Sequence, residues 1–256
     1  MPNGGRISGD VAIVTAGGQG IGEAIAKAFA REGATVAVVD INGKEAARVV
    51  DEIAADGGKA FALTVDVTKS DKVDAMVADV VKRCGTVDIL VNGAGGWQQI
   101  VPLVDITDEE WDRLLTLNIT TAFYCSRAAA RVMIGKKSGR IISIASNAGI
   151  APSPLAKSCL PYVAGKSALI GITKFLANDL GPFGITVNCV APGTTLTPRV
   201  KKARDQATID RLIATNPLRR LVEAQDAADA VLFIASKEAR NITGVCLQVN
   251  AGKLIS

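Results

Sequence analysis

Short apolar runs and amphipathic stretches alternate along all 256 residues. Strands are predicted over Val11–Val14, Thr35–Val39, Ala60–Val65, Ile89–Val91, Arg140–Ala145, Thr186–Val190 and Val245–Val249. Helices are predicted over Ile21–Glu32, Lys44–Asp56, Ser70–Arg83, Tyr162–Leu180 and Ala224–Ala235, with one long helix over Asp108–Lys136. A polar helical insert is expected around Arg199–Ala214. Segments such as VAIV and TVAVV are apolar at consecutive positions, which suits burial on both faces of a sheet. Repeated strand–helix units require right-handed crossovers and a parallel sheet, so a doubly wound α/β fold is expected. Gly-rich turns close most units and no low-complexity linker divides the chain. Residues 1–256 are therefore expected to form a single domain.

Composition narrows the chemistry. The chain is 48% hydrophobic, 21% charged and 4% aromatic, and it contains no histidine. That excludes Ser-His-Asp and Cys-His catalysis, His-ligated metals and any His general base. The net charge of +4 is mild, and no basic stripe with aromatics points to nucleic acid. Five widely spaced cysteines (Cys84, Cys125, Cys159, Cys189, Cys246) show no CxxC spacing, so buried reduced thiols are expected. The N-terminus has no apolar h-region, and no run approaches the ~18 residues that span a bilayer. A soluble cytoplasmic protein without a membrane partner is the expectation.

The first strand runs into Thr15-Ala16-Gly17-Gly18-Gln19-Gly20-Ile21-Gly22, where a helix begins. Glycines there allow a tight turn and close backbone approach to a pyrophosphate, whose charge the helix N-terminus meets. The next strand ends in Asp40, eighteen residues after Gly22. A carboxylate at that place accepts from both adenosine ribose hydroxyls and repels a 2′-phosphate. Neither Gln19 nor Ile41 offers a cation for such a phosphate, so NAD is the expected cofactor. A simple tight turn, with Asp40 as a helix-capping acid, is the alternative reading. Tyr162 and Lys166 lie four apart at the start of a predicted helix and share one face. A neighbouring ammonium lowers a tyrosine pKa toward neutrality, although a surface Tyr–Lys pair is the simpler alternative.

Taken in order, these segments resemble the short-chain dehydrogenase/reductase family over practically the whole chain. The resemblance rests on TAGGQGIG, Asp66-Val67, VNGAG (Val91–Gly95), Asn118, Ser146, Tyr162-Val-Ala-Gly-Lys166, Val190-Ala-Pro-Gly193 with Thr197, and ITGVCLQVNAG. It implies a Rossmann-like fold and hydride transfer between a nicotinamide cofactor and a secondary alcohol or ketone. Tyr162 is then the general acid/base, and Lys166 lowers its pKa and holds the nicotinamide ribose. Ser146 hydrogen-bonds the substrate oxygen, and Asn118 interrupts a helix to support a proton-relay water. Asp66 and the Val67 amide take the adenine, while Asn92, Ala94 and Gly95 line the cofactor cleft. Pro192, Gly193, Thr195 and Thr197 bring the following loop to the carboxamide.

Departures from the family pattern bear on these expectations. Ala16 stands where a glycine is usual, and Gly17 is expected to absorb the turn. Gly93 replaces an asparagine, and Gly165 replaces a small serine. VNAGK (Val249–Lys253) stands near the end where VDGG is usual. Sixteen residues separate Ser146 from Tyr162, a longer span than usual, and the extra length bears on specificity. Trp97, Gln98 and Gln99 follow the fourth strand, at the strand ends where ligands sit, and Leu155 and Leu160 come from the long loop. By resemblance residues 194–215 form a substrate lid. Its Arg199, Lys201, Lys202 and Arg204 suit a carboxylate or a coenzyme A thioester, the alternative being a solvated helix face. Two other functions stay open: a 3-oxoacyl-carrier-protein reductase using NADPH, and an inactive cofactor-binding regulator. The resemblance further implies a homotetramer, with a dimer second, and Asp108–Lys136 and Tyr162–Leu180 as the pairing surface.

Overall fold

The computed structural model describes residues 5–96, 100–151, 159–197, 200 and 204–255. Seven parallel strands form one sheet in the order β3-β2-β1-β4-β5-β6-β7. They are β1 (Val11–Thr15), β2 (Thr35–Asp40), β3 (Lys59–Thr64), β4 (Ile89–Asn92), β5 (Gly139–Ile144), β6 (Ile185–Pro192) and β7 (Cys246–Val249). Between them run α1 (Gly20–Arg31), α2 (Gly43–Ala55), α3 (Ser70–Cys84), α4 (Asp108–Leu115), α5 (Thr121–Lys136), α6 (Leu160–Leu180), α7 (Gln206–Thr215) and α8 (Ala224–Ala235).

Consecutive strand residues supply both layers of the core, because successive side chains point to opposite faces. In β1, Ala12 and Val14 pack with Ile25 and Phe29 of α1, Val49 and Ile53 of α2, and Val231 of α8. Val11 and Ile13 pack on the opposite face with Val77 and Val80 of α3, Met133 of α5 and Leu180 of α6. All five cysteines are free, but only Cys125, Cys159 and Cys189 are buried; Cys84 and Cys246 are partly exposed. Burial pushes the Cys125 thiol up to about 12, which keeps it protonated and unreactive. Among the described residues no helix is long and apolar enough to cross a membrane.

Two local features correct the expectations. The helix expected over Asp108–Lys136 is broken into α4 and α5 by a π-helical turn, Thr116–Thr120. Such a turn inserts an extra residue into the helix, here around Asn118, whose side chain binds the loop after β4 instead of lying on the helix surface. In the first turn, Gly17 does not absorb the strain. Ala16 itself takes a left-handed conformation, φ 52°.

A left-handed alanine is strained by roughly 1–2 kcal/mol, which a glycine avoids at an entropic cost of about 0.5–1 kcal/mol. Ala16→Gly is therefore expected to raise Tm by about 2 °C, given about 2–4 °C per kcal/mol for a chain of this size. Ala16→Val, β-branched at the same φ, is expected to lower Tm. A lower Tm for Ala16→Gly in thermal unfolding would refute the strain.

Candidate active site

The candidate site lies along the C-terminal ends of β1, β2, β4, β5 and β6. The order reverses between β1 and β4, which is where an open α/β sheet leaves a crevice. At the end of β1, the buried Thr15 hydroxyl donates to Val91 O (3.2 Å) and accepts from the N–H groups of Gly93 (3.0 Å) and Ala94 (3.3 Å). One side chain thus ties the glycine turn to the loop after β4. Gly17 N–H donates to Val39 O at 3.0 Å, and α1 begins at Gly20 after Gln19. A Cβ on Gly22 would stand 2.0 Å from Ala16 O, so α1 approaches the turn at backbone contact. The half-buried Ile21 opens the helix beside it.

Asp40 ends β2 at 8% exposure. Its Oδ2 accepts from Gly18 N–H at 3.0 Å and its Oδ1 from Asn42 N–H at 2.9 Å. A carboxylate offers about four lone-pair sites, so both oxygens retain capacity for a ligand hydroxyl. Ile41, 70% exposed, offers apolar surface beside it. Asp66 Oδ1 accepts from the hydroxyl (2.7 Å) and N–H (3.0 Å) of Thr68. Those bonds hold its carboxyl below the usual range, with the hydroxyl the larger cause. Val67 beside it is buried in the core.

Asn118 is fully buried. Its Nδ2 donates to Gly96 O (2.8 Å) and Leu114 O (3.0 Å), and its Oδ1 accepts from Gly96 N–H (2.8 Å). Both amide hydrogens are thus taken by backbone, and the side chain fixes the loop after β4. On α6, Tyr162 is half-buried in the first turn and Lys166 is 4% exposed one turn on. Lys166 Nζ donates to Ile144 O at 2.6 Å and lies 5.9 Å from the Tyr162 ring centre. A Cβ on Gly95 would come within 2.8 Å of Lys166 Nζ and 2.9 Å of Asn118 Oδ1. Gly95 and Asn118, distant in sequence from α6, are therefore neighbours of its Tyr162–Lys166 face. Ser146 follows β5, and its Oγ accepts from Ala148 N–H at 3.1 Å.

Beyond β6, Gly193 N–H donates to Val249 O at 2.8 Å, which anchors the loop after Pro192. Thr195 is buried and its hydroxyl donates to Gly193 O at 3.1 Å. The Thr197 methyl reaches the glycine turn, 3.4 Å from where a Cβ on Gly20 would stand.

Asn92 departs from its expected place. Its Nδ2 donates to the hydroxyls of Ser126 (3.0 Å) and Ser143 (3.3 Å). The strand alternation turns this side chain toward α5 instead of into the crevice. Its Oδ1 is buried with no hydrogen-bond partner among the described residues. Trp97, Gln98, Gln99, Leu155, Arg199, Lys201 and Lys202 lie outside the described residues. Leu160 is 44% exposed at the head of α6, and burial lowers the Arg204 pKa.

Two participants escaped the pattern reading. Gly96 grips both ends of the Asn118 amide, and Arg48 donates from Nη2 to Gly18 O at 3.0 Å. The spacing of Glu45, Arg48 and Glu52 marks an ion-paired helix face, but nothing in it reports that the face reaches the glycine turn.

A family model described as enoyl-(acyl carrier protein) reductase matches residues 15–253. The chain is 38% identical to the 3-oxoacyl-[acyl-carrier-protein] reductase FabG of Staphylococcus epidermidis over 242 residues, 94% of this chain and 97% of the relative. It is 34% identical to the (2S)-[(R)-hydroxy(phenyl)methyl]succinyl-CoA dehydrogenase subunit BbsD of Thauera aromatica, over 96% of this chain and 97% of that one. Among solved structures it superposes on a 7α-hydroxysteroid dehydrogenase complexed with NADH and 7-oxo glycochenodeoxycholic acid. The TM-score is 0.90 at 36% identity, covering 96% of this chain and 95% of the other. Likeness of this extent, in sequence and in fold together, places the chain in the short-chain dehydrogenase/reductase family of oxidoreductases.

Proposed function

We propose that the chain uses NAD(H) to interconvert a secondary alcohol and its ketone, on a substrate bearing a carboxylate or a coenzyme A thioester. The observation that carries the cofactor preference is Asp40, folded over the glycine turn with an oxygen on Gly18 N–H. A 2′-phosphate there meets like charge. At ~4 Å and an effective dielectric near 20 the repulsion is about 4 kcal/mol, so even a screened fraction discriminates strongly. The glycine turn suits a dinucleotide in a second way: at Gly18 and Gly22 a side chain would collide with Asp40 and with Ala16 O. Thr15, Gln19, Gly20 and Ile21 complete the cradle. Ile41, Asp66 and Val67 serve the adenine, and Ala94, Gly95, Pro192, Gly193, Thr195 and Thr197 the nicotinamide half, with Asn92 contributing through its backbone.

Bound nicotinamide supplies or takes up the hydride. Tyr162 gives or receives the proton at the carbinol oxygen. The Lys166 ammonium, 5.9 Å from the Tyr162 ring centre, favours negative charge on the phenol oxygen as its proton leaves. The Ala148 N–H on Ser146 Oγ occupies an acceptor lone pair and leaves the Ser146 hydrogen free to donate to the substrate oxygen. Trp97, Gln98 and Leu155 shape the substrate pocket. A cytoplasmic homotetramer paired through α5 and α6, where Phe123 and Phe175 are exposed, completes the reading.

A second reading is a 3-oxoacyl-carrier-protein reductase using NADPH, favoured by the 38% identity with FabG. Fluorescence titration with each nucleotide separates the two: NADH is expected to bind at least about tenfold more tightly, a difference of about 1.4 kcal/mol. Tighter NADPH binding would give the second reading precedence. Tyr162→Phe is expected to lose about 10²–10⁴-fold in kcat while its Kd for NADH stays unchanged; retained turnover would refute the proton-transfer role. Reversing Lys201 and Lys202 to Glu is expected to raise KM for an acidic substrate about tenfold, and an unchanged KM would remove the anion-reading lid.

A further inference from the structure

We infer that Arg48, on α2, is a positioning residue of the dinucleotide cradle, acting through the carbonyl of Gly18. The inference rests on the cofactor cradle proposed above. Gly18 is held on both sides: its N–H donates to Asp40 Oδ2 and its carbonyl accepts from Arg48 Nη2, each at 3.0 Å. A trans peptide is planar, so its C=O and the next N–H point in opposite directions. Drawing the Gly18 carbonyl onto Arg48 therefore aims the Gln19 N–H away from α2. Gln19 stands at the head of α1, where the first N–H groups lack intrahelical acceptors and are available to a phosphate.

The guanidinium is itself rigidly placed. Nε donates to Glu45 at 2.9 Å, Nη1 to Glu52 at 2.7 Å, and Nη2 to Glu23 at 2.9 Å. Lys27 joins the cluster at Glu23 and Glu52. Acceptors from α1, α2 and the turn thus hold a planar fork whose geometry an ammonium does not reproduce. Three carboxylates surround two cations, so Arg48 contributes geometry here and no net positive charge. Space is equally tight: a Cβ on Gly18 would come 2.9 Å from Asp40 Oδ2 and 3.0 Å from Glu45 Cβ. Turn, β2 and α2 meet at one residue without slack.

A plain α1–α2 staple is the competing role, and Glu52 separates the two. It pairs with Lys27 and with Arg48 Nη1. The Nη2 that meets Gly18 O is instead held by Glu23, which also binds Nη1, so loss of Glu52 weakens the staple and leaves the Gly18 contact in place. The test measures Kd for NADH and NADPH by nucleotide fluorescence, together with Tm, in the full-length Arg48→Met, Arg48→Lys and Glu52→Gln variants. Arg48→Met is expected to weaken the preferred nucleotide about tenfold, and Arg48→Lys to recover part of that loss. Glu52→Gln is expected to lower Tm with Kd within about twofold of the starting protein. Should Arg48→Met not fold, Arg48→Lys decides through a rise in Kd of at least threefold. An unchanged Kd in the folded Arg48 variants, or an equal rise in Glu52→Gln, would overturn the inference. Tighter NADPH binding by the unaltered protein would instead overturn the cofactor preference, and the Arg48 comparison would then be read on NADPH.

Discussion

The carboxamide of Asn118 sits fully buried where α4 turns into α5, with three hydrogen bonds, two to Gly96 and one to Leu114 O. A buried amide without partners would be destabilising by several kcal/mol, so once the side chain is inside, these bonds are obligatory. They fix the peptide after Gly95, and the packing of Gly95 against Lys166 Nζ fixes how close α6 comes. α6 approaches at Gly165, where even a methyl carbon would stand 2.7 Å from Asn118 Cβ. The position of Tyr162 over the strand ends follows from that approach. Removing the amide therefore disturbs a loop, a helix break and the Tyr–Lys face together, because they share one hydrogen-bonded centre.

The opposite wall of the crevice works under a different constraint, that of backbone crowding. Ala16 is held left-handed although glycine would accept that conformation without strain. The Thr15 hydroxyl and the Asp40 carboxylate over-determine the turn from either side, as persistent strain requires. Strain of this kind commonly marks a place where backbone groups are aimed at a ligand.

The fold was largely legible in the sequence because doubly apolar strands leave a signal that survives any choice of partners. β2 and β6 each extend slightly past their predicted ends, which is the ordinary uncertainty of boundaries. What could not be read was direction and exchange of partners. The Asp108–Lys136 stretch has a continuous helical pattern, and only the three-dimensional proximity of Gly96 reveals why its middle opens into a π turn. Asn92 is a strand-end polar residue like Ser146 or Asp40, yet strand alternation sends it toward Ser126 and Ser143. Composition offers Gly17 for the turn, because it records which residues tolerate a left-handed backbone and not which one, here Ala16, is asked to adopt it. Tyr162 and Lys166 were legible because helical spacing is itself a geometric statement.

The order of the strands divides labour within the sheet. β1, β2 and β3 carry the glycine turn, Asp40 and Asp66, all on one side of the crevice. β4, β5, β6 and β7 lie on the other side, and Asn118, Ser146, Tyr162 and Lys166 come from the segments between them. On the function proposed above, coenzyme choice and substrate choice would be separable: Asp40 belongs to the first half of the sheet, whereas Ser146 and Tyr162 follow β5 in the second. A lineage built on such a plan could exchange its substrates while keeping one coenzyme, or do the reverse.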